Sequence, residues 1–176
     1  MAKVKSELMP NSNQLETLKQ KSGLWWLWVS AIVVILDQWT KVIATQSLEM
    51  YQAVVVNDYL NWTLMHNEGM AFSILADQSG WQRWVISIIA IIIVVWLLTW
   101  LKKNDYKNHY LNLGLTFVIG GAIGNTYDRL NLGYVIDFIE VHYEKNFWPA
   151  FNIADTAISI GAFFLIIDLI WGEHEN

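Results

Sequence analysis

The sequence has no cysteine. Disulfides, thiol nucleophiles and thiolate metal sites are therefore excluded. Charge is also scarce: 15% of residues are Asp, Glu, Lys or Arg, against about 25% in a soluble domain. The net charge is −5 with no basic patch, which argues against nucleic acid as a partner. The four histidines, at positions 66, 109, 142 and 174, show no HExxH spacing, so no zinc-protease centre is expected. A GxSxG elbow and a phosphate-binding glycine loop are both missing. A Ser/Lys hydrolase would need a serine beside an outward lysine. Ser47 and Lys41 come nearest, and nothing else supports them.

Hydrophobic residues, by contrast, make up 55% of the 176 positions, and eleven are tryptophan. That composition points to a single membrane-embedded domain with aromatic residues at the lipid–water interfaces. Four segments approach the roughly 20 apolar residues a spanning helix needs: about 24–43, 84–101, 111–125 and 154–171. The third is short and glycine-rich, the weakest of the four by hydropathy. With the N-terminus in the cytoplasm, seven Lys/Arg lie inside (Lys3, Lys5, Lys19, Lys21, Lys102, Lys103, Lys107) and four outside (Lys41, Arg83, Arg129, Lys145). Both termini are then cytoplasmic. No small-residue cleavage site follows Leu36, so the first span reads as retained. Residues 1–22 read as a polar, loosely ordered tail. Segments 44–80 and 126–153 lie outside. Val54–Val56, a turn at Asn57-Asp58, and Tyr59–Leu64 read as strand, turn, strand, with Leu60, Trp62 and Leu64 alternating as in a half-buried strand.

Polar residues gather near the outer ends of the spans: Asp37 and Lys41 in the first, Asn125, Asp128 and Arg129 at the end of the third, Asn152 and Asp155 opening the fourth. Ionisable residues at membrane depth are costly and commonly mark a site. Each also has a structural reading. Asp37 and Lys41 have the i,i+4 spacing of a helix-face ion pair. Arg129 suits lipid headgroups or the holding of an outer loop. Asn152 suits an N-cap, with Asp155 at the third helical position. Asp137 lacks such a reading, because it lies in the apolar run Tyr134–Ile139. Two carboxylates at close range share a proton, one activating water and the other polarising a carbonyl. A proton or ion pathway remains the rival use of the same acids. The Gly120-Gly121-Ala122-Ile123-Gly124 run has the spacing of close helix packing.

The stretches DQWTK (37–41), NEGMAFS (67–73), GGAIGNTYDRLNLGYVIDF (120–138) and FNIADTAISIG (151–161) resemble lipoprotein signal peptidase, or signal peptidase II, a family of aspartyl proteases of the bacterial cytoplasmic membrane. The resemblance implies an α-helical fold of four transmembrane helices with a small extracytoplasmic β-cradle and a second outer loop. It implies one membrane peptidase domain over residues 23–171, between cytoplasmic tails at 1–22 and 172–176. Asp137 and Asp155 match the family's catalytic pair. Asp37, Lys41, Asn67, Gly69, Asn125, Asp128, Arg129 and Asn152 fall on positions that bind substrate or support the site. The implied substrates are prolipoproteins whose lipobox cysteine carries diacylglycerol, cut just before that cysteine near the outer membrane face. Membrane lipids surround the enzyme, no metal or organic cofactor takes part, and globomycin inhibits. His66 departs from the family, many of whose members carry Arg there, and the polar N-terminal extension is longer than usual. The rivals are a small transporter or proton-conducting protein, whose polar path would continue through the inner halves of the spans, and a scaffold in which both acids tolerate Asn.

Overall fold

The computed structural model describes residues 21–69 and 80–172. Residues 1–20 of the N-terminal tail, residues 70–73 of the NEGMAFS stretch and the last four residues lie outside the described residues. Four long helices and four strands follow in the order α1 (Leu27–Ser47), β1 (Ala53–Asn57), β2 (Leu60–Asn67), α2 (Trp81–Lys103), α3 (His109–Asn131), β3 (Val135–Tyr143), β4 (Asn146–Phe147) and α4 (Ile153–Trp171), with a short 3₁₀ turn, Gly23–Trp26, leading into α1. Three helical segments, Gly23–Ser47, Trp81–Lys103 and Ile153–Trp171, are long and apolar enough to cross a membrane.

α3 is the exception by composition, and its surroundings explain why. It packs against α1, α2 and α4 at once, so protein replaces lipid around it and small or polar side chains become tolerable. Its buried positions include Asn112, Thr116, Gly120, Gly121, Gly124 and Asn125. The glycines make the contacts close: a Cβ at Gly120 would lie 2.8 Å from the Val33 Cβ, and one at Gly124 would lie 2.6 Å from the Asp37 carboxylate. Small residues that let backbones approach are a principal means of helix association in lipid. Leu97, Leu101, Leu111, Leu115 and Ile119 form the buried apolar core between α2 and α3. The outer face of α2, including Ile88, Ile92, Val95 and Trp96, is exposed, as lipid contact requires.

The helices run past the expected limits. α3 continues to Asn131, so Asn125, Asp128 and Arg129 all lie within it. The two outer segments also join. β3, from the second segment, pairs antiparallel with β2, from the first, in one sheet of order β1-β2-β3-β4. What the sequence presented as a cradle and a separate loop is thus largely one sheet. The β1–β2 turn falls at Asp58-Tyr59, one residue later than expected. Asn57 pairs with Leu60, and its Oδ1 accepts from the Tyr59 N–H at 2.9 Å. The expected face of β2 is also corrected. Leu64 is buried as expected, but Asn61 and Thr63 are buried too while Leu60 and Trp62 are only partly so, because both polar side chains donate to the Glu140 Oε2, each at 3.0 Å.

Candidate active site

Two polar clusters occupy one level of the molecule, where the ends of α1 and α3 meet β3 and the start of α4. The first is an ion knot. Lys41 Nζ lies 2.8 Å from Asp37 Oδ2 and 2.8 Å from Asp128 Oδ2, and it donates to Asn125 Oδ1 at 3.1 Å. Asp37 Oδ1 accepts from the Ala154 N–H at 2.9 Å, so a carboxylate of α1 satisfies a free donor at the start of α4. Asp128 Oδ2 also accepts from the Ile136 N–H at 3.3 Å, which ties in β3. Asp37, Lys41 and Asp128 are each at most 1% exposed. Burial of three charges is tolerable only because every one is paired and hydrogen-bonded.

The second cluster holds the other two acids. Asp137 Oδ2 accepts from Asn67 Nδ2 at 3.0 Å, and its Oδ1 accepts from Asn152 Nδ2 at 2.7 Å. Asp155 Oδ1 accepts from Asn125 Nδ2 at 2.8 Å. Its Oδ2 accepts from the Asn152 backbone N–H at 3.3 Å, while the Asp155 N–H donates to Asn152 Oδ1 at 2.9 Å. This reciprocal pair is a capping box. The capping reading of Asp155 is therefore correct, and it does not exclude chemistry, since Asp137 and Asp155 both line one cleft of about 1080 Å³. Pockets that bind small ligands run to roughly 300–1,000 Å³, so there is room for a chain. Burial pushes the Asp137 carboxyl up to about 7, helped by the charge of Asp155 and opposed by the hydrogen bonds from Asn67 and Asn152 and by the charge of Lys41. No salt bridge to either acid occurs among the described residues. Arg129 lines the cleft within electrostatic reach of both acids, and among the described residues its side chain makes one long hydrogen bond, Nη1 to the Asn125 carbonyl at 3.4 Å.

The ten residues singled out in the sequence thus divide between the clusters. Asp37, Lys41 and Asp128 are in the knot, Asp137, Asp155, Asn67 and Arg129 at the cleft, and Asn125 and Asn152 bridge the two, since Asn152 Nδ2 also donates to Asn125 Oδ1 at 3.1 Å. Gly69 holds a partner in place: its N–H donates to Asn67 Oδ1 at 3.1 Å. Gln38 was missed. Its Nε2 donates to Asp128 Oδ1 at 2.8 Å and to Asp37 Oδ2 at 3.2 Å. Its place inside DQWTK was the available signal. Among the described residues no group of three or more His, Asp or Glu is arranged to hold a metal ion.

A family model described as signal peptidase (SPase) II matches residues 29–171. The lipoprotein signal peptidase of Pseudomonas putida is 49% identical over 146 residues, which cover 82% of this chain and 85% of that protein. The lipoprotein signal peptidase of Acinetobacter baumannii is 44% identical over 174 residues, covering 96% of this chain and 97% of that protein. A solved structure described as a bacterial membrane enzyme superposes with a TM-score of 0.74 at 33% identity, covering 86% of this chain and 92% of that one. With the family model spanning most of the chain and relatives matching at close to half of the aligned positions, the chain belongs to the signal peptidase II family.

Proposed function

We propose that this chain is an intramembrane aspartyl endopeptidase that removes signal peptides from diacylglyceryl-modified prolipoproteins, cutting before the lipidated cysteine. Family membership supports the substrate class. The observation that carries the residue assignment is Asn152, which touches both carboxylates: its side chain donates to Asp137 and its backbone N–H to Asp155. One residue thereby fixes two acids relative to each other at the wall of a cleft. Asp137, raised to about 7, carries the shared proton and polarises the scissile carbonyl. The other carboxylate of the pair takes a proton from water, whose oxygen attacks the carbonyl carbon. Collapse of the tetrahedral intermediate breaks the C–N bond. The departing nitrogen takes up a proton and becomes the free amine of the lipidated cysteine, and the signal peptide gains a carboxylate. Arg129 and Asn67 orient the substrate and the pair, and the knot around Lys41 holds the frame.

In this reading all four helices cross the inner membrane as one domain over residues 23–171. α3 does so shielded by its neighbours. Both termini lie in the cytoplasm, and the cleft opens near the outer face, where water meets a signal-peptide helix arriving from lipid. Globomycin-type inhibitors are expected to occupy the cleft. The relay alternative needs titratable groups leading inward from the acids; α4 carries one farther in, Asp168 near its inner end, with no charged residue between it and Asp155. The inner end of α3 does carry polar residues the sequence reading passed over, but they are neutral and engaged: Ser30 Oγ donates to the Thr116 carbonyl at 2.7 Å, and Asn112 Nδ2 to the Asp105 carbonyl at 2.8 Å. The test is cleavage of a diacylglyceryl-modified precursor and an unlipidated control by wild type, Asp137→Asn and Asp155→Asn. Acid–base catalysis contributes ~10²–10⁴-fold, so each variant should lose at least that while remaining folded.

A further inference from the structure

A second cavity, of about 240 Å³, lies where the start of α2 meets the turn after α3, and the chemistry above makes no use of it. It is lined by one cation and one anion. Arg83 comes from the first turn of α2, and Glu68 from just past the end of β2. Among the described residues neither is in a salt bridge, although both line the same space. The Arg83 guanidinium lies over the Trp84 ring, 5.0 Å from its centroid. A stacked guanidinium keeps its N–H edge for acceptors, and here Nε is buried with no acceptor among the described residues. A buried donor left without an acceptor is costly, which favours a ligand that supplies one. Two glycines keep the space open. Gly80, at φ +80°, has nothing within 4 Å of where a Cβ would stand, and a Cβ at Gly133, at φ +91°, would come within 3.0 Å of the Arg83 Nη1. Glu68 is exposed, and its carboxylate can only accept. Trp81 and Trp84, about half exposed beside the cavity, are the residues expected at a lipid–water interface.

We infer that this cavity binds the zwitterionic headgroup of a membrane phospholipid, with the phosphodiester on Arg83 and a primary ammonium on Glu68. Phosphate oxygens match the planar N–H fork of a guanidinium. An ammonium two carbons away supplies N–H donors to the carboxylate. A purely anionic headgroup would meet the same guanidinium but be repelled by Glu68. A choline headgroup has no N–H to give. The cavity is smaller than the roughly 300–1,000 Å³ of a typical ligand pocket, so it takes a headgroup while the acyl chains stay in lipid. The inference takes its membrane level from the four-span reading, and its test uses no cleavage, so the two can fail separately.

The experiment titrates purified enzyme in detergent with short-chain phosphatidylethanolamine, phosphatidylglycerol and phosphatidylcholine. One-lipid complexes are counted by native mass spectrometry for wild type, Arg83→Gln and Glu68→Gln, and the melting of each is recorded. Wild type should hold phosphatidylethanolamine about tenfold tighter than either other lipid, the size of one charge-assisted contact. Glu68→Gln should bring phosphatidylethanolamine down to the level of phosphatidylglycerol. Arg83→Gln should weaken all three about tenfold. Should Arg83→Gln melt early, the ranking of the lipids on wild type and Glu68→Gln still decides. Phosphatidylglycerol bound as tightly as phosphatidylethanolamine by wild type overturns the inference and leaves a plain anion site. Soluble glycerophosphoethanolamine bound as tightly as the lipid overturns it in favour of a free phosphodiester. A phosphatidylethanolamine preference that survives both substitutions places the lipid elsewhere, and wild type that retains no lipid means that the chain itself fills the cavity; either result overturns it.

Discussion

The Lys41 knot and the Asp137–Asp155 pair are built from the same residue types and share two asparagines, yet they stand in opposite electrostatic states. In the knot a buried ammonium sits 2.8 Å from each of two carboxylates, and those acids also accept backbone N–H donors from α4 and β3. Every charge has a partner, so the knot serves as a clamp. At the cleft two acids are held by neutral amides and an N–H, with no ion pair among the described residues. Amides orient a carboxylate without neutralising it, and burial then drives the proton onto one member of the pair. Full pairing gives rigidity, and withheld pairing gives titratability where a substrate can reach it.

That contrast can be broken most severely at Lys41. Lys41→Met leaves Asp37 and Asp128 buried without their cation, and removing one partner of a buried pair costs about 3–5 kcal/mol. The expected outcome is a large fall in melting temperature in detergent. Adding Asp128→Asn should recover part of it. If Lys41→Met melts normally and loses only cleavage, the knot is chemical rather than structural. At the cleft, neutralisation should act the other way. The folded value of Asp137, about 7, lies above its ordinary 3.8. The folded state therefore holds the proton more tightly than the unfolded chain. The resulting stabilisation is fully present below about pH 4 and is lost as pH rises through about 7. Melting curves of wild type across that window should show the decline, and Asp137→Asn should flatten it. Cleavage should also fall as pH passes above about 7 and the Asp137 proton is lost.

Smaller effects sharpen the same division. Gly124→Val forces a side chain against the Asp37 carboxylate. Overpacking typically costs about 1–3 kcal/mol, visible as a lower melting temperature. Asn152→Ala removes the cap of α4 for about 1 kcal/mol. It also removes the donor that orients Asp137, so cleavage should fall by more than the change in melting temperature accounts for.

The sequence made the apolar helices and the polar level legible because both are local patterns. The i,i+4 pair of Asp37 and Lys41 could be read directly, as could the Asn152–Asp155 cap. The second partner of Lys41 could not, because Asp128 comes from α3 and only helix packing through Gly124 brings it close. Gln38 was passed over because an amide next to an acid carries no signal of its own. The pairing of β2 with β3 joins residues as far apart as Leu60 and Val141, beyond the reach of periodicity. Glu140 reversed the buried face of β2 at Asn61 and Thr63, though not at Leu64, because a carboxylate across the strand outweighs an apolar alternation. Asp137 drew notice for the converse reason, a charge in an apolar run with no local role.

The most direct measurement is single-turnover cleavage of a diacylglyceryl-modified precursor by Asp155→Asn, alongside wild type and Asp137→Asn, with melting in detergent recorded for each. Asparagine at 155 can still accept from the Asn152 N–H, so the cap survives while the carboxylate is gone. The account predicts a normally melting variant at least ~10²-fold slower than wild type, matched by Asp137→Asn. Cleavage within a few-fold of wild type by either folded variant would contradict it and leave that residue a structural one.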